Sequence, residues 1–301
     1  MVFDKLISNL LFPFYHWVLL TMQFFFRSCS SICLLTFLFS TNIIQAAEIS
    51  YPLSVAAADK GPVFVADRKL PGIWSVEKGK AASYFTGSKV FRTPLNAVRC
   101  VTVDPQGRVL AGDSSTREVY RFEKAGAEPT PLTKGGIGIP MDVVVTKSGD
   151  LLVSDLELHQ IWKVPAAGGK PTLFAKVSAP RGLALDQNEN LWVVSGTADQ
   201  LLKVTPDGKV SVVVKGRPFN FPHDVVVLED GTAIVTDGYE KALWKVTPDG
   251  KTEKWISGEP FKNPVGITLQ GKNILVADPH AKTVFSIDPA KKITDLLKPA
   301  K

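Results

Sequence analysis

The chain has 301 residues, 45% of them apolar and 21% charged, with a formal net charge of +6. That length suits one large domain or two small ones, and the composition is ordinary for a globular protein. No Lys/Arg run and no basic stretch interleaved with aromatics is present, which argues against a nucleic-acid groove and leaves a slight preference for anionic partners.

Residues 1–47 are the most apolar part and hold only Asp4, Lys5 and Arg27 of the chain's Asp, Glu, Lys and Arg. The first apolar stretch, 10–26, is broken by Pro13, His16 and Gln23. The second, 31–39, follows Arg27 and precedes Gln45-Ala46-Ala47. A basic residue, a short apolar core and small residues at a cleavage point are the parts of a signal peptide. So short a core cannot span a bilayer as a stable helix. The expectation is a signal peptide over 1–47, with translation starting at Met22 and cleavage near Ala46 or Ala47. A secreted or periplasmic domain over 48–301 then has no stable membrane span; an uncleaved anchor is the competing reading. Cys100 is the only cysteine in that domain, so it has no intramolecular disulfide. Its Cys-Val-Thr-Val setting reads as a buried small hydrophobe.

From residue 48 onward the chain repeats. Six segments end a strand pattern at Asp67, Asp113, Asp155, Ser195, Asp237 and Asp278, at spacings of 46, 42, 40, 42 and 41. Seven residues after each stands Trp74, Tyr120, Trp162, Leu202, Trp244 or Phe285. Fifteen residues before most of them stands a proline: Pro52, Pro140, Pro180 or Pro222, with Pro264 one residue nearer its Asp. In the fifth repeat, strands are predicted over 224–228, 233–236, 242–247 and 252–256, joined by Glu229-Asp230-Gly231 and Pro248-Asp249-Gly250. Four-stranded units of this size are propeller blades, and six of them consume the chain from near 50 to near 298. The fold class is therefore all-β, a six-bladed propeller of antiparallel blades. Only residues 47–51 are left to add a closing strand to the sixth blade. The recurring aromatic reads as packing between blades, and the recurring Asp as an acceptor for backbone N–H groups of the following turn.

The repeat resembles that of the NHL family in Pro180-Arg181-Gly182-Leu183, Val276-Ala277-Asp278 and His159-Gln160-Ile161-Trp162. The blade Asn190-Leu191-Trp192-Val193 with Thr205-Pro206-Asp207-Gly208 is also similar to blades of streptogramin (virginiamycin B) lyases, although those have seven. The resemblance implies the fold and not the function, since such propellers include protein-binding and RNA-binding domains, lactonases and lyases. It also implies that the residue after each blade-start Pro lies near the central channel. These are Leu53, Arg99, Met141, Arg181, His223 and Val265, with Val98 in place of Pro before Arg99.

Arg99, Arg181 and His223 then converge on one opening as a binding site for an anionic or polar ligand. The competing reading has Arg181 paired with Asp142 or Asp224, closing the channel. The post-Pro set lacks the oxygen ligands of lactonase-like calcium sites, and His159 and His280 do not share the register of His223, so no metal and no cofactor are expected. His223 and Asp237 are the catalytic candidates, by similarity to the His–acid pair of the lyases. The reading that follows is a monomeric binding module for a protein, peptide or glycan ligand at the mouth. The alternative is a metal-assisted lyase or hydrolase acting at the central channel.

Overall fold

A computed structural model describes residues 48–297. The expected signal peptide and its cleavage point lie outside the described residues. Within 48–297 there are six four-stranded antiparallel sheets, each built from one continuous stretch of chain with its strands in sequence order. The first strands pack side by side around one axis, and that of blade 1 (Pro52–Ala57) touches both that of blade 2 (Val98–Val103) and that of blade 6 (Gly266–Gln270), so the ring closes. Blade 6 takes its outer strand, Ile293–Asp295, from its own stretch of chain. Residues 48–51 contribute no closing strand, and Ser50 and Tyr51 instead donate their N–H groups to Asp67.

Blade 5 runs Pro222–Val227, Ala233–Asp237, Ala242–Val246 and Thr252–Ser257. Its turns are those the sequence calls for, with Gly231 and Gly250 at φ 80° and 84°, a region costly for any residue with a Cβ. The second strands of blades 1 to 5 are buried along their whole length, and that of blade 6 at all but its first residue, Asn273, because a blade in the ring is covered on both faces. Apolar clusters fill each interface between neighbouring blades. Tyr120 packs with Phe64, Ile73 and Leu95 between blades 1 and 2, and Trp244 with Trp192 and Phe219 between blades 4 and 5. The recurring aromatics thus sit in blade–blade packing, where full burial is worth about 1.5–3 kcal/mol for each large apolar side chain.

The repeating Asp ties two connections together. Asp155 accepts N–H bonds from Gly138 and Ile139, which lead into the blade, and from Glu157 and Leu158 in the following turn. Trp162 Nε1 donates a fifth at 2.8 Å. Burial pushes the Asp155 carboxyl up, but the Trp162 and backbone donors outweigh it and its pKa falls below the ordinary value. Asp67 and Asp278 make the same pattern with their own loops. In blade 4, Ser195 replaces the carboxylate; its hydroxyl donates to Ser178 O, accepts from Thr197 N–H and shares a bond with Thr197 Oγ1.

Candidate functional site

The antiparallel order places the starts of the first strands on one face. The turns between second and third strands and the links between blades lie on that same face. In blades 1 to 5 the pairing slips just after the blade-start residue, so Leu53, Arg99, Met141, Arg181 and His223 have no partner across the sheet. Such a bulge re-aims a side chain, here towards the axis. All six post-Pro residues line one cavity of about 360 Å3 at the mouth. The convergence of Arg99, Arg181 and His223 expected from the repeat is what the fold produces.

Among the described residues Arg181 has no ion pair. The carboxylates of Asp142 and Asp224, which line the same cavity, accept backbone N–H groups instead, and the buried Arg181 Nε has no hydrogen-bond acceptor. Its guanidinium carbon lies 4.6 Å from the centroid of the Phe221 ring. Phe221 stacks on Tyr239 at 4.6 Å and 15° and meets His223 edge-on at 4.7 Å. Arg99 donates from Nε to Ser114 Oγ at 3.1 Å. Burial lowers the pKa of both arginines, and for Arg99 the neighbouring Arg68 charge adds to the effect. Burial first and the Arg181 charge second push His223 down to about 3, so its imidazole is neutral at physiological pH.

Beneath these side chains the position after the post-Pro residue alternates around the ring: Ser54, Cys100, Asp142, Gly182, Asp224, Gly266. The polar members reach across to the next blade. Asp142 accepts from Leu183 N–H at 2.8 Å, Asp224 from Ile267 N–H at 2.9 Å, and Ser54 Oγ from Val101 N–H at 3.1 Å. The glycines between them make room, since a Cβ on Gly182 would lie 2.2 Å from Asp224 Oδ1. Two half-buried carboxylates therefore share the floor of the cavity. Burial raises the pKa of both, Asp142 to about 7, and the Asp142 charge raises Asp224 further. As a pair they carry less than two full charges at neutral pH, so the cavity remains dominated by its cations.

The turns add residues that the repeat register does not mark: Arg68, Tyr51, Tyr239 and His280. His280 thus joins His223 at the mouth, whereas His159 Nδ1 accepts Ala179 N–H from the link to blade 4. Asp237 does not line the cavity. It is fully buried, and its carboxylate accepts N–H bonds from Asn220, Phe221 and Glu240. Of the two catalytic candidates His223 lines the cavity, while Asp237 serves the loop-tying role common to the blades. Cys100 is buried, and burial raises its thiol pKa well above the ordinary value. No group of three or more His, Cys, Asp or Glu able to hold a metal ion occurs among the described residues.

No protein-family model matches the chain, and no curated protein matches it in sequence. Solved structures do. A virginiamycin B lyase from Staphylococcus aureus superposes with a TM-score of 0.63 at 17% identity, covering 85% of this chain and 87% of that one. A gluconolactonase from Xanthomonas campestris gives 0.68 at 14% identity, covering 82% and 87%. A chain of a nidogen–laminin complex gives 0.64 at 17% identity, covering 82% and 91%. At these identities the likeness establishes the fold alone: the chain is a β-propeller, as are these structures.

Proposed function

We propose that the mouth cavity binds the anionic group of a peptide, protein or glycan ligand, and that the protein acts as a binding module. The observation that carries this reading is the half-buried Arg181 guanidinium, which meets no counter-ion among the described residues. A desolvated charge is costly unless something compensates it, and the Phe221 face compensates it only in part. A planar carboxylate suits the guanidinium fork. Arg99 and Arg68 extend the positive wall, and the exposed Tyr239 ring offers a stacking surface for the body of the ligand. The test is equilibrium binding of N-acetyl-phenylalanine and galacturonate against their neutral counterparts, N-acetyl-phenylalanine amide and galactose. Tighter binding of the acids supports the reading; equal binding of acids and neutral partners contradicts it.

A second reading is a lyase or hydrolase at the same site. It is favoured by His223, a neutral imidazole beside the arginine that would hold a substrate carboxylate, and by the lyases and lactonases among the fold neighbours. At a pKa of about 3 this His is a weak base. A bound anion that offsets the Arg181 charge would strengthen it. Conversion of a bound acid that is lost in His223→Ala with binding retained would establish this reading over simple binding.

A further inference from the structure

The link from blade 1 to blade 2, residues 87–97, is where the repeat takes its longest step, 46 residues from Asp67 to Asp113. It is internally bonded. Val90 N–H donates to Ser88 Oγ, Thr93 Oγ1 donates to Val90 O, and Asn96 Nδ2 donates to both Ser88 O and Val90 O. Leu95 anchors it in the core at 0% exposure. Yet this braced loop holds Val90 at 65% and Phe91 at 75% exposure. Nothing in the loop's own bonding requires apolar side chains at its tip.

Cations surround that tip. Lys89 and Arg92 flank it in sequence, and Lys89 Nζ bonds Arg68 O at 3.0 Å, bringing Arg68 and Lys69 alongside. Arg68, Lys69 and Lys89, with Tyr51, line a shallow depression that runs into the mouth through Arg68 and Tyr51. None of Arg68, Lys69, Lys89 and Arg92 has a carboxylate within ion-pair distance among the described residues. Elsewhere on the same face charged turn and link residues do pair, as in Arg117–Glu157 and Lys262–Glu259, so the four cations around this tip form a local positive patch. The other large apolar side chains exposed in turns, Leu158 and Tyr239, are also on the mouth face.

We infer that the mouth face docks on an anionic phospholipid surface. The Val90–Phe91 tip enters the interface, and Arg68, Lys69 and Lys89 hold headgroup phosphates. Separate apolar tips on a basic face suit a plane of lipid, whereas a protein partner would be met by a contiguous apolar patch. Each basic residue near such a surface is worth about fivefold in binding, and the attraction weakens as salt shortens its range.

The test is sedimentation of the purified protein with phosphatidylcholine vesicles containing about one-third phosphatidylglycerol, against pure phosphatidylcholine. Expected is salt-sensitive binding to the anionic vesicles alone. It should be weakened by Phe91→Ala and by roughly twentyfold or more in the double variant Lys89→Glu/Arg92→Glu. These side chains are exposed, so the variants should keep the fold. In Phe91→Trp, the added emission should shift to the blue on vesicle binding. Equal binding to neutral vesicles, no binding, or a Phe91→Trp emission that stays at its water value would overturn the proposal. Failure here is separable from failure of the anion site, because Phe91→Ala leaves the cavity intact and should bind small carboxylates unchanged.

Discussion

The Arg181 guanidinium rests on the Phe221 ring at 4.6 Å, and no carboxylate meets it among the described residues. Arg181→Ala therefore breaks no ion pair. It removes a cation–π contact worth about 0.5–2 kcal/mol and relieves a desolvated charge, two effects of opposite sign. Its melting temperature should stay within about 4 °C of the parent, a shift read by calorimetry. A fall of more than about 10 °C would mean that Arg181 is a structural tie.

His223 reports on the same charge. Its folded pKa of about 3 lies below the ordinary 6.5, so this group contributes stability above the unfolded pKa that is lost as pH falls towards the folded one. Removing the Arg181 charge should raise the pKa of His223. Burial is the larger cause, so the value should remain below 6.5. Imidazole proton shifts in Arg181→Ala measure this, and an unmoved value would place Arg181 too far away to act on the ring.

The floor pair gives the opposite slope. Asp142 and Asp224 are raised in the folded state, so the native protein holds protons that the unfolded chain releases near pH 4. Stability should therefore decline as pH rises from about 4 to about 7, by on the order of a few kcal/mol. Asp224→Asn should flatten that slope. It should also lose stability at acid pH, because one of the two N–H donors from Val225 and Ile267 then faces an amide NH2. Urea unfolding at several pH values would show both effects, and a slope unchanged by the substitution would remove the carboxylate pair from the explanation.

The loop-tying carboxylates should behave alike whatever their position. Asp155→Ala and Asp237→Ala each strand several buried N–H donors and should cost about 3–5 kcal/mol, whereas Ser195→Ala should cost about 1 kcal/mol. Thermal unfolding of the three variants checks the order. If Asp237→Ala kept its stability and abolished an activity, Asp237 would be a catalytic group and not a loop tie.

The blade architecture was legible because it rests on local, periodic signals: the proline, the strand-ending Asp and the aromatic seven residues on. The convergence of Arg99, Arg181 and His223 on one cavity was legible for the same reason, since equivalent positions of a closed ring must converge. Arg68, Tyr239 and His280 were not, because they reach the mouth from turns whose direction no repeat position encodes. Nor was the state of Arg181 legible. Asp142 and Asp224 stand close in the repeat register and read as its partners, but their carboxylates turn to the backbone N–H groups of the next blade. The alternation of Asp142, Gly182, Asp224 and Gly266 was the available clue, a small residue beside each large one around the axis.

Calorimetric titration with N-acetyl-phenylalanine, comparing the parent with Arg181→Ala at pH 7, tests the anion site most directly. A neutral His223 and an uncompensated Arg181 at that pH lead us to expect binding by the parent and a loss of at least about tenfold in the variant, the scale of one charge-assisted bidentate contact. Equal affinity in the two proteins, with both folded, would contradict the assignment of the mouth as an anion site.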